Sequence, residues 1–296
     1  MALTVLQAEP FVRLGFFMAV LAAMSVWEAL APRRRRGLSR LKRWPANLGM
    51  VALNTLVVRI LFPTAAIGVA LSAEERGWGL LNAFAVPEWI AILIAVLVLD
   101  LAIYLQHVLF HAVPWLWRLH RMHHADLDFD VTTGVRFHPI EIVLSMIIKL
   151  MVVAALGAPA LAVLIFEILL NATSLFNHGN VRIPPPLDRF LRWLVVTPDM
   201  HRVHHSWYPN ETNSNFGFNL PWWDRLLGTY QDQPRDGHEG MTIGINLFRD
   251  PAWERLDRML IQPFIGPADS YPINMRETKD GSSVSGALEK GKEERN

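Results

Sequence analysis

The sequence predicts an all-α integral membrane protein of about four spans, the last part a helical hairpin that crosses or re-enters the membrane, with a polar helical cap on the cytoplasmic side. Of 296 residues 52% are hydrophobic and only 19% are charged, against about 25% charged in a typical soluble domain. The deficit is uneven: windows of about 20 residues, enough to cross a bilayer, carry one or two charges, whereas the chain after Asn180 is polar and rich in proline. There are 11 histidines and no cysteine. Disulfides, thiolate zinc sites, iron–sulfur ligation and a cysteine nucleophile are therefore excluded, and a metal here must be held by nitrogen or oxygen. A formal charge of +1 gives no global field pointing to nucleic acid.

Three windows read as single spans: 11–31, interrupted by Arg13 and Glu28; 48–71, with only Arg59; and 89–109, with only Asp100. The first lacks a basic start and a small-residue cleavage site, so it reads as a retained span and not a signal peptide. A longer apolar stretch, 140–176, has Glu141, Lys149 and Glu167 as its only charges and breaks at Gly157-Ala158-Pro159. A glycine followed closely by proline turns the chain, which makes two helices of roughly 17 to 20 residues and a hairpin.

Between the first two spans lie seven of the 28 basic residues: Arg33, Arg34, Arg35, Arg36, Arg40, Lys42 and Arg43. Short basic loops stay cytoplasmic, so the N-terminus and the loop through Glu74, Glu75 and Arg76 are expected outside. The third span returns to the cytoplasm near His107. The basic run itself reads as a solvated anchor beside anionic lipid. In 248–264, Trp253, Leu256, Met259 and Leu260 recur at helical spacing, an amphipathic stretch expected to pack on the cap or the interface. Residues 1–87 thus form the first spans and basic loop, 88–265 the histidine-bearing unit with its cap, and 266–296 a polar tail with the composition of disorder.

The histidines are grouped. His120-Arg-Met-His123-His124 and His201-Arg-Val-His204-His205 nearly repeat, and His107 and His111 form an i, i+4 pair upstream. On a helix i, i+3 and i+4 share a face, so two rings of each box can converge while the third turns toward a neighbouring site. Imidazole suits Zn, Cu, Fe and Ni. Eight convergent rings exceed what one ion can take, and two ions are the economical count. No Glu-x-x-His pair of the carboxylate-bridged di-iron bundles and no His-Glu-x-x-His zinc motif occurs.

The order His-x3-His, His-x2-His-His, His-x2-His-His beside membrane spans resembles the fatty acid hydroxylase and sterol desaturase superfamily of membrane di-iron oxygenases. The likeness extends to Asp100-x3-Tyr104-x2-His107, Thr132-Thr133-Gly134-x-Arg136-Phe137-His138-Pro139-x-Glu141, Asn177-His178, Asn215-Phe216-Gly217, Trp223-Asp224 and Gly228-Thr229-Tyr230. The resemblance implies that His107, His111, His120, His123, His124, His201, His204 and His205 bind two iron ions. It adds His178 as a further ligand and His138 as either a ligand or a group holding one. Where some members carry another histidine, this chain has Asn180, which could fill the gap directly or through water. His238 lies outside every motif and reads as a surface residue.

Ligating imidazoles usually donate their outer N–H to a carboxylate or carbonyl. Asp100 is the first candidate for that role, then Glu141 and Asp199, with Arg121 or Arg202 as competing partners for these carboxylates. Trp115, Trp117, Trp222 and Trp223 read as an interfacial aromatic belt. The implied reaction is O2-dependent hydroxylation or desaturation of a lipid drawn from the bilayer of the cytoplasmic or inner membrane. With no cysteine and no spare domain, electrons are expected from a separate donor of ferredoxin or cytochrome type. A metal transporter would place its ligands at mid-membrane on broken helices, and a zinc hydrolase is the remaining alternative, because imidazole binds zinc equally well.

Overall fold

The computed structural model describes residues 8–84, 86–266 and 270–274, and these are helical with two isolated β-bridges and no strand. Among the described residues five helical stretches are long and apolar enough to cross a membrane: Glu9–Leu30, Arg40–Ala83, Glu88–Ala112, Pro139–Leu156 and Ala160–Asn177. We name the helices that matter here α1 (Glu9–Leu30), α2 (Arg40–Leu61), α3 (Ala65–Arg76), α4 (Glu88–Ala112), α5 (Pro114–His124), α6 (Pro139–Leu156), α7 (Ala160–Asn177), α8 (Pro198–His204) and α9 (Leu256–Ile261).

The expected second span over 48–71 is not one helix. Phe62 leaves helical geometry at φ −132°, ψ 70°, Pro63 has no N–H to continue the ladder, and Ala65 takes φ 49°. The chain restarts as α3, whose Ala66, Ile67 and Ala70 share a core with Val153 and Leu156 of α6 and Val163 of α7. The hairpin between α6 and α7 turns at Gly157, whose φ of 65° closes two bonds back to Val153 and Ala154. A Cβ there would meet the Trp78 carbonyl oxygen at 2.5 Å, so glycine is required twice over.

Both α1 and α4 pack along α7, and the C-terminal ends of α1, α4 and α7 meet the N-terminal ends of α2 and α6 beneath the cap. The basic link between α1 and α2 is folded into that cap, which corrects its reading as a solvated anchor. Arg43 is fully buried; its Nε and Nη2 donate to Asp126 at 2.7 and 2.6 Å and its Nη1 to Asp130 at 2.7 Å. Arg34 donates to the carbonyls of His238 and Met241, both at 2.7 Å, and Arg40 to Glu28 at 2.7 Å. Arg35, Arg36 and Lys42 stay exposed. The others find acceptors within the fold: Arg33 in Asp199 and Glu239, Arg34 and Arg43 in segments after His124, and Arg40 in Glu28 of α1.

The amphipathic stretch at 248–264 is broken into a 3-10 turn at Pro251–Glu254, α9, and a second turn at Gln262–Phe264. Its Met259 is buried against Ala46 and Met50 of α2 and Met122 of α5. Tyr271, within the expected tail, is buried, with its ring stacked on Trp117 at 5.6 Å. The tail from 275 onward lies outside the described residues.

Candidate metal centre

Pro114 begins α5 directly after α4, and Pro198 begins α8 with the Thr197 side chain accepting from Met200 N at 3.3 Å. These starts set the histidine registers. Nine histidines converge in two groups: His107, His111, His120, His124 and His204; and His123, His178, His201 and His205. Within each group the candidate ligand nitrogens lie within 4.8 Å of one another, and all nine residues are buried. The boxes divide in opposite senses. In the α5 box the i and i+4 rings enter the first group and the i+3 ring the second, whereas the α8 box sends i and i+4 to the second and i+3 to the first. Two adjoining sites result, and each box serves both.

The outer nitrogens of His107, His111, His120, His178 and His204 are held. His107 Nδ1 donates to the Phe216 carbonyl, His204 Nδ1 to that of Ser214 and His178 Nδ1 to that of Ser174, each at 2.7 Å. His120 Nδ1 lies 2.6 Å from Glu141 Oε1 and His111 Nδ1 3.0 Å from Asn213 Oδ1. A carbonyl only accepts, so the Nε2 of His107, His204 and His178 carries the lone pair. His107 Nε2 faces His120 Nε2 at 3.1 Å, two lone pairs at contact distance when both Nδ1 atoms donate. His111 Nε2, His124 Nε2, His204 Nε2 and both nitrogens of His205 are buried without a hydrogen-bond partner. A cation in each group relieves both problems, and the nearly pure nitrogen donor set fits a first-row transition metal.

Burial holds the His120 and His178 rings down to about 3. It also pushes His123, His124, His201, His204 and His205 well below the ordinary imidazole value, with neighbouring rings adding to the effect. The rings are therefore neutral and ready to ligate at pH 7. Phe137 stacks on His123 at 4.5 Å, and Phe216 meets His107 edge-on at 5.4 Å. These apolar rings exclude water from the inner nitrogens.

Several expected site residues stand elsewhere. His138 caps α6, its Nδ1 accepting from Ile140 N and its Nε2 donating to the Leu260 carbonyl, each at 3.2 Å; both nitrogens are used, so it belongs to neither group. Asn180 is bound to Arg34 through both ends of its amide at 2.9 Å and closes the basic link. Asp100 accepts from Trp223 Nε1 at 2.8 Å, and Asp199 from Arg33 at 3.1 Å and from Arg202. Of the three proposed carboxylates, Glu141 is the one bonded to a clustered histidine. His238 is buried, with Nε2 3.6 Å from Asp199, because the cap covers it; it is not a surface residue. Trp117 is buried 4.8 Å from the His111 ring, so the tryptophans do not form one interfacial belt, although Trp115 remains 77% exposed.

The carbonyls of Ser174, Ser214 and Phe216, and Asn213, carry no sequence signal of their own, because a backbone oxygen has no residue signature. Asn215-Phe216-Gly217 was a partial pointer: Asp224 accepts from Phe216 N at 2.8 Å and Gly217 N at 2.9 Å, which fixes the loop that serves His107. Burial pushes the Asp224 carboxyl up to about 6.

A cavity of about 760 Å³ runs from His107, His120 and Glu141 between the long helices to Glu9, Arg13 and Arg59 at their far ends. Phe17, Val51, Ile103 and Met146 are among its apolar walls.

Residues 92–229 match the fatty acid hydroxylase family model, the stretch that contains both histidine groups. This segment belongs to the fatty acid hydroxylase family. The chain is 33% identical over 150 residues to the ornithine lipid hydroxylase OlsE of Rhizobium tropici, covering 50% of this chain and 44% of that protein. It is 27% identical over 159 residues to the Homo sapiens alkylglycerol monooxygenase, covering 52% and 34%, and 28% identical over 141 residues to the Homo sapiens cholesterol 25-hydroxylase, covering 47% and 50%. The matches thus span half or less of these relatives' lengths. No solved structure matches the chain. Arg43 and Asn54 lie before the fatty acid hydroxylase segment yet bond directly to Asp126 and to the Phe137 carbonyl within it.

Proposed function

We propose that the chain is a membrane-bound, O2-dependent lipid hydroxylase whose two histidine groups each hold an iron ion. The observation that carries this is the pair of dry, neutral imidazole clusters at the inner end of a largely apolar cavity between helices long enough to span a bilayer. The relatives are named as lipid hydroxylases and monooxygenases, which favours hydroxylation over desaturation. His107, His111, His120, His124 and His204 would hold one ion, and His123, His178, His201 and His205 the other. When bound, the iron pair supplies O2 reduction and the oxidising power for an unactivated C–H bond.

The chain's own residues do the rest. The cavity walls orient the lipid chain, Phe137 and Phe216 keep water from the centre, and Glu141 holds His120 in the tautomer whose Nε2 faces inward. In the balanced reaction one oxygen atom enters the C–H bond and the other leaves as water. The two electrons come from a separate ferredoxin- or cytochrome-type donor, and two protons complete the water. We place the cap in the cytoplasm and the spans in the cytoplasmic or inner membrane.

The test is metal analysis after expression in iron-replete medium, followed by 18O2 incubation with host lipid extract and a reductant. Two irons per chain and an 18O-labelled lipid are expected. Unsaturated product without label would redirect the reading to desaturation, and zinc occupancy with no oxygen-dependent product to a hydrolase.

A further inference from the structure

The metal end of the cavity carries unpaired polar atoms. Three side-chain oxygens that belong to cavity-lining residues, Asn54 Oδ1, Gln106 Oε1 and Glu141 Oε2, are buried without a hydrogen-bond partner. The Asn54 orientation is set by chemistry: its Nδ2 donates to the Phe137 carbonyl at 2.8 Å, and the flipped amide would put two acceptors together. Asn54 is 8% exposed. Gln106, beside His107, turns its Nε2 to Ser145 Oγ at 2.8 Å, and Glu141 spends its other oxygen on His120. Of the three, Asn54 Oδ1 is the fixed acceptor, because the Ser145 hydroxyl pairs with either end of the Gln106 amide and a buried carboxyl can bear a proton; Phe137, whose carbonyl anchors Asn54, stacks on His123 at 4.5 Å.

An alkyl tail driven to this end would leave Asn54 Oδ1 buried against methylene groups, losing its hydration without return. A hydroxyl or amino group would satisfy it, because each such group donates and this amide oxygen only accepts. We propose that Asn54 selects a lipid that enters with a hydrogen-bond donor, a hydroxyl or amine, next to the carbon to be oxidised, while its hydrocarbon lies outward along Phe17, Val51 and Met146. This rests on the hydroxylase reading and names the substrate class for it.

The probes are 1-hexadecanol, hexadecylamine and hexadecyl methyl ether, which share a chain length and differ in the donor. Binding to the iron-loaded full chain in detergent is measured by equilibrium dialysis. The alcohol or amine is expected to bind at least about tenfold more tightly than the ether, and Asn54→Leu to reduce that preference to below about twofold. Equal affinity in the parent protein, as expected if ordered water alone occupies the site, overturns the proposal. So does a preference that survives in Asn54→Leu. Should Asn54→Leu fail to bind the ether, and so fail to fold, Asn54→Ala is read on the same terms. Parallel 18O2 incorporation separates the two readings. Oxygenation without donor preference overturns this inference alone, and donor preference without oxygen-dependent product overturns the hydroxylase reading alone.

Discussion

His138 and His178 are both buried histidines at helix ends, and their surroundings give them different work. His138 spends Nδ1 on the first turn of α6 and Nε2 on the Leu260 carbonyl. His178 anchors Nδ1 on Ser174 and turns Nε2 to within 3.1 Å of His201 Nε2. His178→Ala is expected to lower the bound iron per chain, with a comparable loss in His204→Ala, as read by elemental analysis of purified protein. His138→Ala should keep its iron and lose only the cap, about 0.5–2 kcal/mol of stability; an iron-free His138→Ala protein would reinstate it as a ligand. Glu141→Gln replaces the carboxyl that holds His120 Nδ1 at 2.6 Å, and a loss of about 10–100-fold in metal affinity is expected by chelator competition.

The pH dependence follows from the same rings. With His120 and His178 held down to about 3 against an unfolded value of about 6.5, the unfolded chain binds more protons between those values. Stability and metal retention are therefore complete above about pH 6.5 and decline as pH falls toward 3. Melting midpoints and iron content measured across that window check the sign.

The helices are tied to the site by charges more than by the boxes alone. Arg43, near the start of α2, holds Asp126 with two nitrogens and Asp130 with a third, and Asp126 lies two residues beyond His124. Arg136, which donates to the Met122 carbonyl at 3.0 Å and pairs with Glu254, extends the network to the turn before α9. Arg43→Ala leaves two carboxylates buried without that partner, and a loss of about 3–5 kcal/mol is expected. Arg43→Lys should not restore it, since an ammonium cannot form the two-pronged contact. Unfolding midpoints in detergent together with iron retention distinguish this from a surface role, in which neither would change.

Across the molecule the long helices alternate in direction, so the ends that carry the histidine groups collect on one side and Glu9, Arg59 and Glu75 on the other. The cavity joins the two. Arg35, Arg36 and Lys42 keep their charges exposed, and these are the residues on which the cytoplasmic placement of the cap now rests. The chain has no cysteine, which makes single-cysteine labelling clean. Arg36→Cys is expected to react with an impermeant maleimide only from the cytoplasmic face, and Glu75→Cys only from the other; the reverse pattern would invert the topology.

The sequence carried the helical class, the hairpin turn at Gly157-Ala158-Pro159 and the three histidine boxes, because each is a local signal: an apolar run, a turn dipeptide, a repeated spacing. It also located the family, since the boxes and the flanking Asn215-Phe216-Gly217 are read in order along the chain. The division of nine rings into two groups depended on how α4, α5, α7 and α8 come together, and no spacing encodes that. The same holds for the basic run. Seven charges within eleven residues look solvated, and whether they are depends on acceptors such as Asp126 and Asp199 that lie far along the chain. His138 was misplaced for a related reason: adjacency to a motif does not say where a ring points, and the N-terminus of α6 claimed it first.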